Sequence, residues 1–271
     1  MNFIKTPLQK AEAAIAQADA VLIGAGAGLS TAAGINYSGP DFEKAFADMI
    51  AHYGFTDLYT SSFYPFQSEE EKWAYWSRHI DYARFEPEGK PLYKHLLELV
   101  QGKEYFVITT NVDGQFAKAG FDPDKVFEVQ GDYGLMQCAT ACHPKRYSNE
   151  SLVKQMVAEQ KDCRIPSALV PRCPVCGGPM EINVRKDRYF VEDDRWHQQA
   201  ERYYAFLEAT LGKKKLALLE YGVGFNTPTI IRYPFERMAA AYPDVTLIRI
   251  NKDYRECQTP GIRHFIGLES I

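Results

Sequence analysis

The chain has 271 residues, 46% of them apolar and 24% charged, the balance of a folded globular protein rather than of a disordered, collagenous or coiled-coil one. Lys and Arg number 31 against 35 Asp and Glu, a formal net charge of −4, so no strongly basic nucleic-acid surface is indicated. No apolar run approaches the roughly 20 residues of a membrane helix, and the length suits one large domain with or without a small one.

In chain order, residues 4–18 place Ile4, Leu8, Ala11, Ala14 and Ile15 on one helical face. Ala20 to Ile23 reads as a buried strand. It runs into Gly24-Ala-Gly26-Ala-Gly28-Leu-Ser30, a glycine loop, with a short helix expected from Ser30 or Thr31. Such a loop suits a phosphate, because glycines admit close backbone approach and a helix N-terminus adds partial positive charge. The plainer alternative is a tight strand–helix turn. The dehydrogenase fingerprint is absent, since Leu29 and Thr31 stand where its third glycine would be.

Residues 41 to about 90 read as a helical insertion. Phe42, Phe46, Met49 and Ile50 keep helical spacing, and Ser68-Glu-Glu-Glu71 reads as a capping box ahead of Trp73, Trp76 and Ile80. Leu92, Leu96, Leu99 and Val100 mark a further helix. Tyr105 to Asn111 is a strand with a polar end, Thr109 to Asp113, where ligands bind in a parallel α/β sheet. Val126 to Val129 is another, ending at Gln130-Gly131-Asp132-Tyr133-Gly134. Ser148 to Gln160 reads as a helix. Leu216 to Tyr221 and Val245 to Ile250 are strands, ending at Gly222-Val-Gly224-Phe-Asn226 and Asn251-Lys-Asp253.

Five of the six cysteines fall between 135 and 190. Cys138-x3-Cys142 and Cys173-x2-Cys176 have the paired spacing of two zinc knuckles, and four thiolates would leave no open position, so the metal would be structural. His143 and Cys163 are alternative ligands; buried free thiols are the plainer reading. The N-terminus lacks a basic-then-apolar leader, so a reducing cytoplasm is expected, with thiols or metal ligands rather than disulfides. The histidines, at 52, 79, 95, 143, 197 and 264, are expected to be surface or packing groups, since none falls at an expected strand end beside the glycine loops.

Gly26-Ala-Gly28-Leu-Ser30-x3-Gly34-Ile35 resembles the first NAD-binding motif of sirtuins, and Thr110-Asn111-Val112-Asp113 resembles their second. The cysteine pairs, Gly222-x-Gly224 and Ile250-Asn251 follow in sirtuin order. Thr109 to Gln115, Gln130 to Gly134 and Pro171 to Gly177 look like the macrodomain-linked, class M branch. The resemblance implies an α/β fold: a Rossmann-like parallel-sheet NAD domain (1–40, 91–135, 200–271), a helical lid (41–90) and a smaller zinc-ribbon module (136–199).

It implies cofactors NAD and zinc, the latter on Cys138, Cys142, Cys173 and Cys176. Asn111, Asp113 and Gln130 would be catalytic. Gly26, Ala27, Gly28 and Ser30 would wrap the phosphates, and Gly34, Ile35, Asn36, Tyr37 and Thr110 would join them in binding NAD. Gly222, Gly224 and Asn226 would line the ribose and phosphate side, with Asn251, Lys252 and Asp253 at the adenosine. The implied activity is mono-ADP-ribosylation of a lipoylated carrier protein, reversed by a partner macrodomain hydrolase, with neither nucleic acid nor membrane as partner.

Gln130 stands where deacylating sirtuins have His. Asn36-Tyr-Ser-Gly39 replaces Pro-Asp-Phe-Arg, and Asn183 to Phe190 lacks the Phe-Gly-Glu stretch that clamps acyl-lysine. A Gln side chain cannot titrate, and losing a general base costs about 10² to 10⁴ in rate. Deacylation with a substitute base, NAD hydrolysis, and a non-catalytic NAD-binding scaffold are the competing readings.

Overall fold

The computed structural model describes residues 6–257 and 259–270. Helix α1 (Pro7–Gln17) opens with a reciprocal capping box: the Gln9 amide N–H donates to the Thr6 hydroxyl at 3.2 Å, and the Thr6 N–H donates to the Gln9 side chain at 2.9 Å. Ile4, expected on its apolar face, lies outside the described residues. Strand β1 (Ala20–Ala25) is buried along its whole length. Helix α2 (Ala27–Ala32) starts earlier than expected, because extended Gly26 is its cap.

The insertion holds α3 (Pro40–Ala45), α4 (Ala47–Tyr53), α5 (Leu58–Ser61) and α6 (Glu69–Ile80), which runs on into a π-helical turn, Asp81–Phe85. The helical spacing of Phe42, Phe46, Met49 and Ile50 runs across two helices, broken at buried Phe46. Half of the expected capping box at α6 forms. Glu71 N–H donates to the Ser68 hydroxyl at 3.3 Å, but the Glu71 carboxylate accepts from Gln67 N–H and from Arg164 instead of closing the box.

Next come α7 (Pro91–Val100), β2 (Glu104–Thr109), α8 (Gln115–Lys118) and β3 (Val126–Glu128). The middle of the chain forms β4 (Gly131–Cys138), β5 (Arg146–Ser148), α9 (Glu150–Glu159) and β6 (Met180–Val184). The last third gives α10 (Asp194–Thr210), β7 (Leu216–Tyr221), α11 (Arg232–Ala241), β8 (Val245–Ile250) and β9 (Phe265–Leu268). Sequence reading found neither α10 and α11 nor β9.

The fold is α/β. Six parallel strands take the order β3-β2-β1-β7-β8-β9. One face is covered by α1, α7 and α8 through Ile15, Leu96 and Phe116, the other by α10 and α11 through Phe206 and Phe235. Burial on both faces explains why the central strands read as nearly unbroken apolar runs. The order turns back between β1 and β7, and ligands of open α/β sheets bind beyond the strand ends at such a point. A second sheet, β5-β4-β6, is antiparallel. It takes up the chain at Gly131, ahead of the expected border at 136. The insertion and this small module share one core, in which Phe46, Met49 and Trp73 pack with Val153, Met156 and Ile182.

Candidate active site

The ends of β1, β7 and β8 open into a cavity of about 680 Å³. Of the residues expected at a dinucleotide, Gly26, Ala27, Gly28, Thr110, Gly222, Gly224, Asn226, Asn251, Lys252 and Asp253 line it. The glycines are required by approach of one loop to the other. A Cβ on Gly28 would stand 2.7 Å from the Gly222 Cα, and Gly222 has φ of +64° with its own would-be Cβ 2.3 Å from the Leu29 nitrogen. Gly28 N–H donates to the Gly222 carbonyl at 2.9 Å and Gly26 N–H to the Tyr221 carbonyl at 3.0 Å. Those two amides are therefore spent inside the protein, and an anion would meet the mouth of α2 at Ala27.

Beside this cavity, at the end of β2, a buried polar cluster forms. Asn111 donates through Nδ2 to the Gly26 carbonyl at 3.0 Å and to the Tyr93 hydroxyl at 3.2 Å. That fixes its amide and leaves Oδ1 without a donor among the described residues. The Ser30 hydroxyl donates to Asp113 Oδ2 at 2.5 Å and lies 3.0 Å from the Tyr93 hydroxyl. Ser30, expected at the phosphates, thus carries its hydroxyl inward to orient Asp113. Burial pushes the Asp113 carboxyl up, against the Ser30 and Gln115 N–H hydrogen bonds that hold it down.

Gln130 follows β3, half-buried, its amide unengaged among the described residues. The next residue, Gly131, has φ of +97°, and a Cβ there would lie 2.0 Å from the Asn183 carbonyl oxygen. The Gln130 carbonyl accepts from Arg185 N–H at 3.0 Å. Asp132 is gripped by Arg84 of the π-helical turn at 2.7 and 3.1 Å, so the insertion is bolted to the strand that leaves Gln130. Glu128 sits two residues ahead. Burial and the neighbouring Asp132 push its carboxyl up, against Arg84 and Arg195.

One histidine lies near this group. His79 is fully buried, stacked on Trp76 at 5.1 Å and edge-on to Tyr37 at 5.4 Å and Tyr133 at 5.0 Å. The Tyr75 hydroxyl donates to the Leu58 carbonyl at 2.6 Å, so it accepts from His79 Nδ1–H at 3.1 Å. Burial lowers His79 to about 3. It is a neutral packing group, sealed from the cleft. Gly34 and Ile35 border a separate hollow of about 530 Å³. The Asn36 carbonyl accepts from the Tyr82 hydroxyl at 2.8 Å, which ties the segment after Ile35 to the π-helical turn.

At the far end of β4 the four expected thiols converge. Cys138 and Cys176 are 3.7 Å apart, Cys142 and Cys173 3.6 Å, and all four sulfurs lie within 4.8 Å of one another. Tetrahedral zinc at about 2.3 Å from each sulfur needs separations near 3.8 Å, so the set fits a structural zinc. Of the two alternative ligands, Cys163 lies elsewhere, 3.8 Å from Asp48, and His143 stands at the rim, 3.1 Å from Cys142 and bonded through Nε2 to the Tyr147 hydroxyl.

Residues 26–212 match the model of the Sir2 family. The chain belongs to the Sir2 family. It is 42% identical over 240 residues to a protein ADP-ribosyltransferase of Staphylococcus aureus, covering 88% of this chain and 76% of that one. It is 32% identical over 246 residues to a probable bifunctional ADP-ribose hydrolase/ADP-ribosyltransferase of Fusarium oxysporum, covering 87% of this chain but 41% of that protein. Its fold is that of a mutant Sir2 homologue solved with ADP-ribose, with a TM-score of 0.57 at 16% identity over 95% of this chain and 90% of the other.

In this Sir2-family chain the cavity has further walls that sequence reasoning missed, among them Thr31, Val223, Phe225 and Tyr254. Phe225 and Tyr254 are half-exposed and meet edge to face at 4.9 Å. Their signal was faint: each follows a strand end by only a few residues. The Ser30–Asp113 and Arg84–Asp132 pairs join residues far apart in sequence, and no local pattern marks them.

Proposed function

We propose that the chain is an NAD-dependent protein mono-ADP-ribosyltransferase, that its acceptor is a lipoylated carrier protein, and that a macrodomain hydrolase reverses the modification in the cytoplasm. The observation that carries the transferase reading is the unengaged Gln130 amide at the end of β3, with the one nearby histidine sealed behind Tyr37 and Tyr133. The name of the Staphylococcus relative supports it. That of the Fusarium relative, in which a hydrolase is joined to the transferase, supports a reversing partner. The carrier rests on the class M resemblance alone.

Cleavage of the nicotinamide–ribose bond leaves positive charge on the ribose, so positioning and electrostatics matter more than a base. The cavity between the glycine loops takes the ADP portion. Asn111 Oδ1 is free to accept from a ribose hydroxyl, and Asp113, fixed by Ser30, orients the carboxamide. Nicotinamide leaves with the bonding electron pair, an acceptor side chain bonds to C1′, and the acceptor's proton passes to water. Deacylation would next require a ribose hydroxyl to lose a proton. Gln130 can bind that hydroxyl but cannot take its proton. Zinc, on the four cysteines, would supply structure alone.

Mass spectrometry of a lipoylated carrier incubated with the protein and NAD, with and without the lipoyl group, tests the reading. An ADP-ribose adduct that requires the lipoyl group is expected. Gln130→Ala is expected to slow its formation about 10- to 100-fold through a lost hydrogen bond. An unmodified carrier alongside efficient cleavage of acyl-lysine peptides overturns the reading in favour of a deacylase. Nicotinamide release with water as the sole acceptor overturns it in favour of a hydrolase.

A further inference from the structure

We infer that Arg232, at the start of α11, is a positioning residue for the adenosine end of the dinucleotide, holding together the two loops that wall the cavity beyond β7 and β8. The inference rests on the NAD-binding reading above. Arg232 is buried, and it is not among the residues that line the 680 Å³ cavity. Its guanidinium donates to the Val223 carbonyl at 3.4 Å in one loop, and to the Tyr254 and Glu256 carbonyls at 3.1 and 3.3 Å in the other. It also lies 4.5 Å beneath the half-exposed Phe225 ring. Val223, Phe225 and Tyr254 all line the cavity.

These carbonyls follow the ends of β7 and β8, where no neighbouring strand pairs with them. Asn251 also serves the Val223 carbonyl and Arg249 the Glu256 carbonyl, and Arg232, a planar fork with five donors, is the side chain that reaches all three carbonyls at once. The fork is itself held in a buried network. Arg249 binds Glu220 at 2.7 and 2.9 Å and Glu236 at 2.7 Å, and gives a further bond to the Glu256 carbonyl at 2.8 Å. Arg232 completes it, 3.5 Å from Glu220 and 3.8 Å from Glu236. Apolar residues of like volume would stabilise such a core at least as well. What they could not do is donate hydrogen bonds to two loops simultaneously. Asn251 ties the same loops from the cavity side, its Nδ2 on the Val223 carbonyl at 2.9 Å and its Oδ1 accepting from Asp253 and Tyr254 N–H.

Arg232→Lys tests this, since it keeps the charge opposite Glu220 and Glu236 but loses the fork. ADP-ribose affinity by calorimetry, and KM and kcat for NAD by nicotinamide release, are compared with the unaltered protein. Kd for ADP-ribose and KM for NAD are expected to rise about tenfold with kcat within about twofold, because nothing at the nicotinamide end is touched. An unchanged Kd, or a fall in kcat at constant KM, overturns the inference.

If Arg232→Lys does not fold, the pair Arg232→Met with Glu236→Gln, which leaves the network neutral, is measured in the same way. Failure of both to fold makes Arg232 purely structural and overturns the inference too. The calorimetric arm separates the two proposals: a protein that binds ADP-ribose yet modifies no carrier loses the proposed function while the role of Arg232 stands. An unaltered protein that does not bind ADP-ribose ends both.

Discussion

In the proposed mechanism Asn111 would serve structure with one end and chemistry with the other. Its Nδ2 holds the Gly26 carbonyl and the Tyr93 hydroxyl, and its Oδ1 accepts from no donor among the described residues. Asn111→Ala is expected to lower nicotinamide release at least about 100-fold and to cost only about 1 kcal/mol of stability, because the Gly26 carbonyl keeps the Leu29 N–H at 2.9 Å and the Tyr93 hydroxyl keeps Ser30. Full activity in that variant would remove Asn111 from the mechanism. His79 makes a prediction of the opposite kind, on stability rather than rate. Burial lowers its folded-state pKa to about 3, below the ordinary value near 6.5. Its contribution is present above pH 6.5 and is lost as pH falls from there towards 3, by about 1.4 kcal/mol per pH unit. Urea unfolding from pH 7 to 4 should therefore show a shallower loss in His79→Phe than in the unaltered protein. Parallel curves would mean that His79 is reached by solvent, which would reopen the question of a base at this site.

Among the elements, β4 links two sites that look separate in sequence. It starts at Gly131, next to Gln130, and ends at Cys138, one of the four converging thiols. Gly131→Ala would force a left-handed backbone on a residue that resists it and drive a methyl group into the Asn183 carbonyl. A loss of more than about 2 kcal/mol is expected in denaturant unfolding, together with displacement of Gln130. An alanine variant with unaltered unfolding would show that the strand slides freely past β6. The central strands and the helices α6 and α7 were legible because their apolar spacing is dense and local. Short β9 gave too few residues for a pattern. The polar-rich α10, which sits on the sheet through Tyr203 and Phe206, was missed because its apolar face is sparse. The kink at Phe46 was hidden because the apolar spacing continues straight through it.

For the whole molecule, the division of labour between the two sheets matters most. The 680 Å³ cavity is lined wholly by residues of, or adjoining, the six-stranded sheet, whereas Gln130 leads into the small sheet. Removing zinc with a chelator should lower the melting temperature and abolish transfer while ADP-ribose still binds with near-normal affinity. Loss of both together would show that the sheets fold as a single unit, and an unchanged melting temperature would deny the metal its structural role. The glycine loops, the strand-end asparagines and the cysteine pairs were readable because spacing alone betrays them. How Ser30 and Gly28 spend their polar groups was not, because each partner stands in a loop that follows another strand, brought near only by folding.

The bond between the Gly28 amide and the Gly222 carbonyl joins the loops after β1 and β7 with no ligand in place. The floor of the cleft is thus preorganised, and an arriving dinucleotide need not supply the entropy of ordering it. Grip on the diphosphate should accordingly survive moderate warming better than the chemistry does, since the chemistry also needs the separate helical layer above to stay docked.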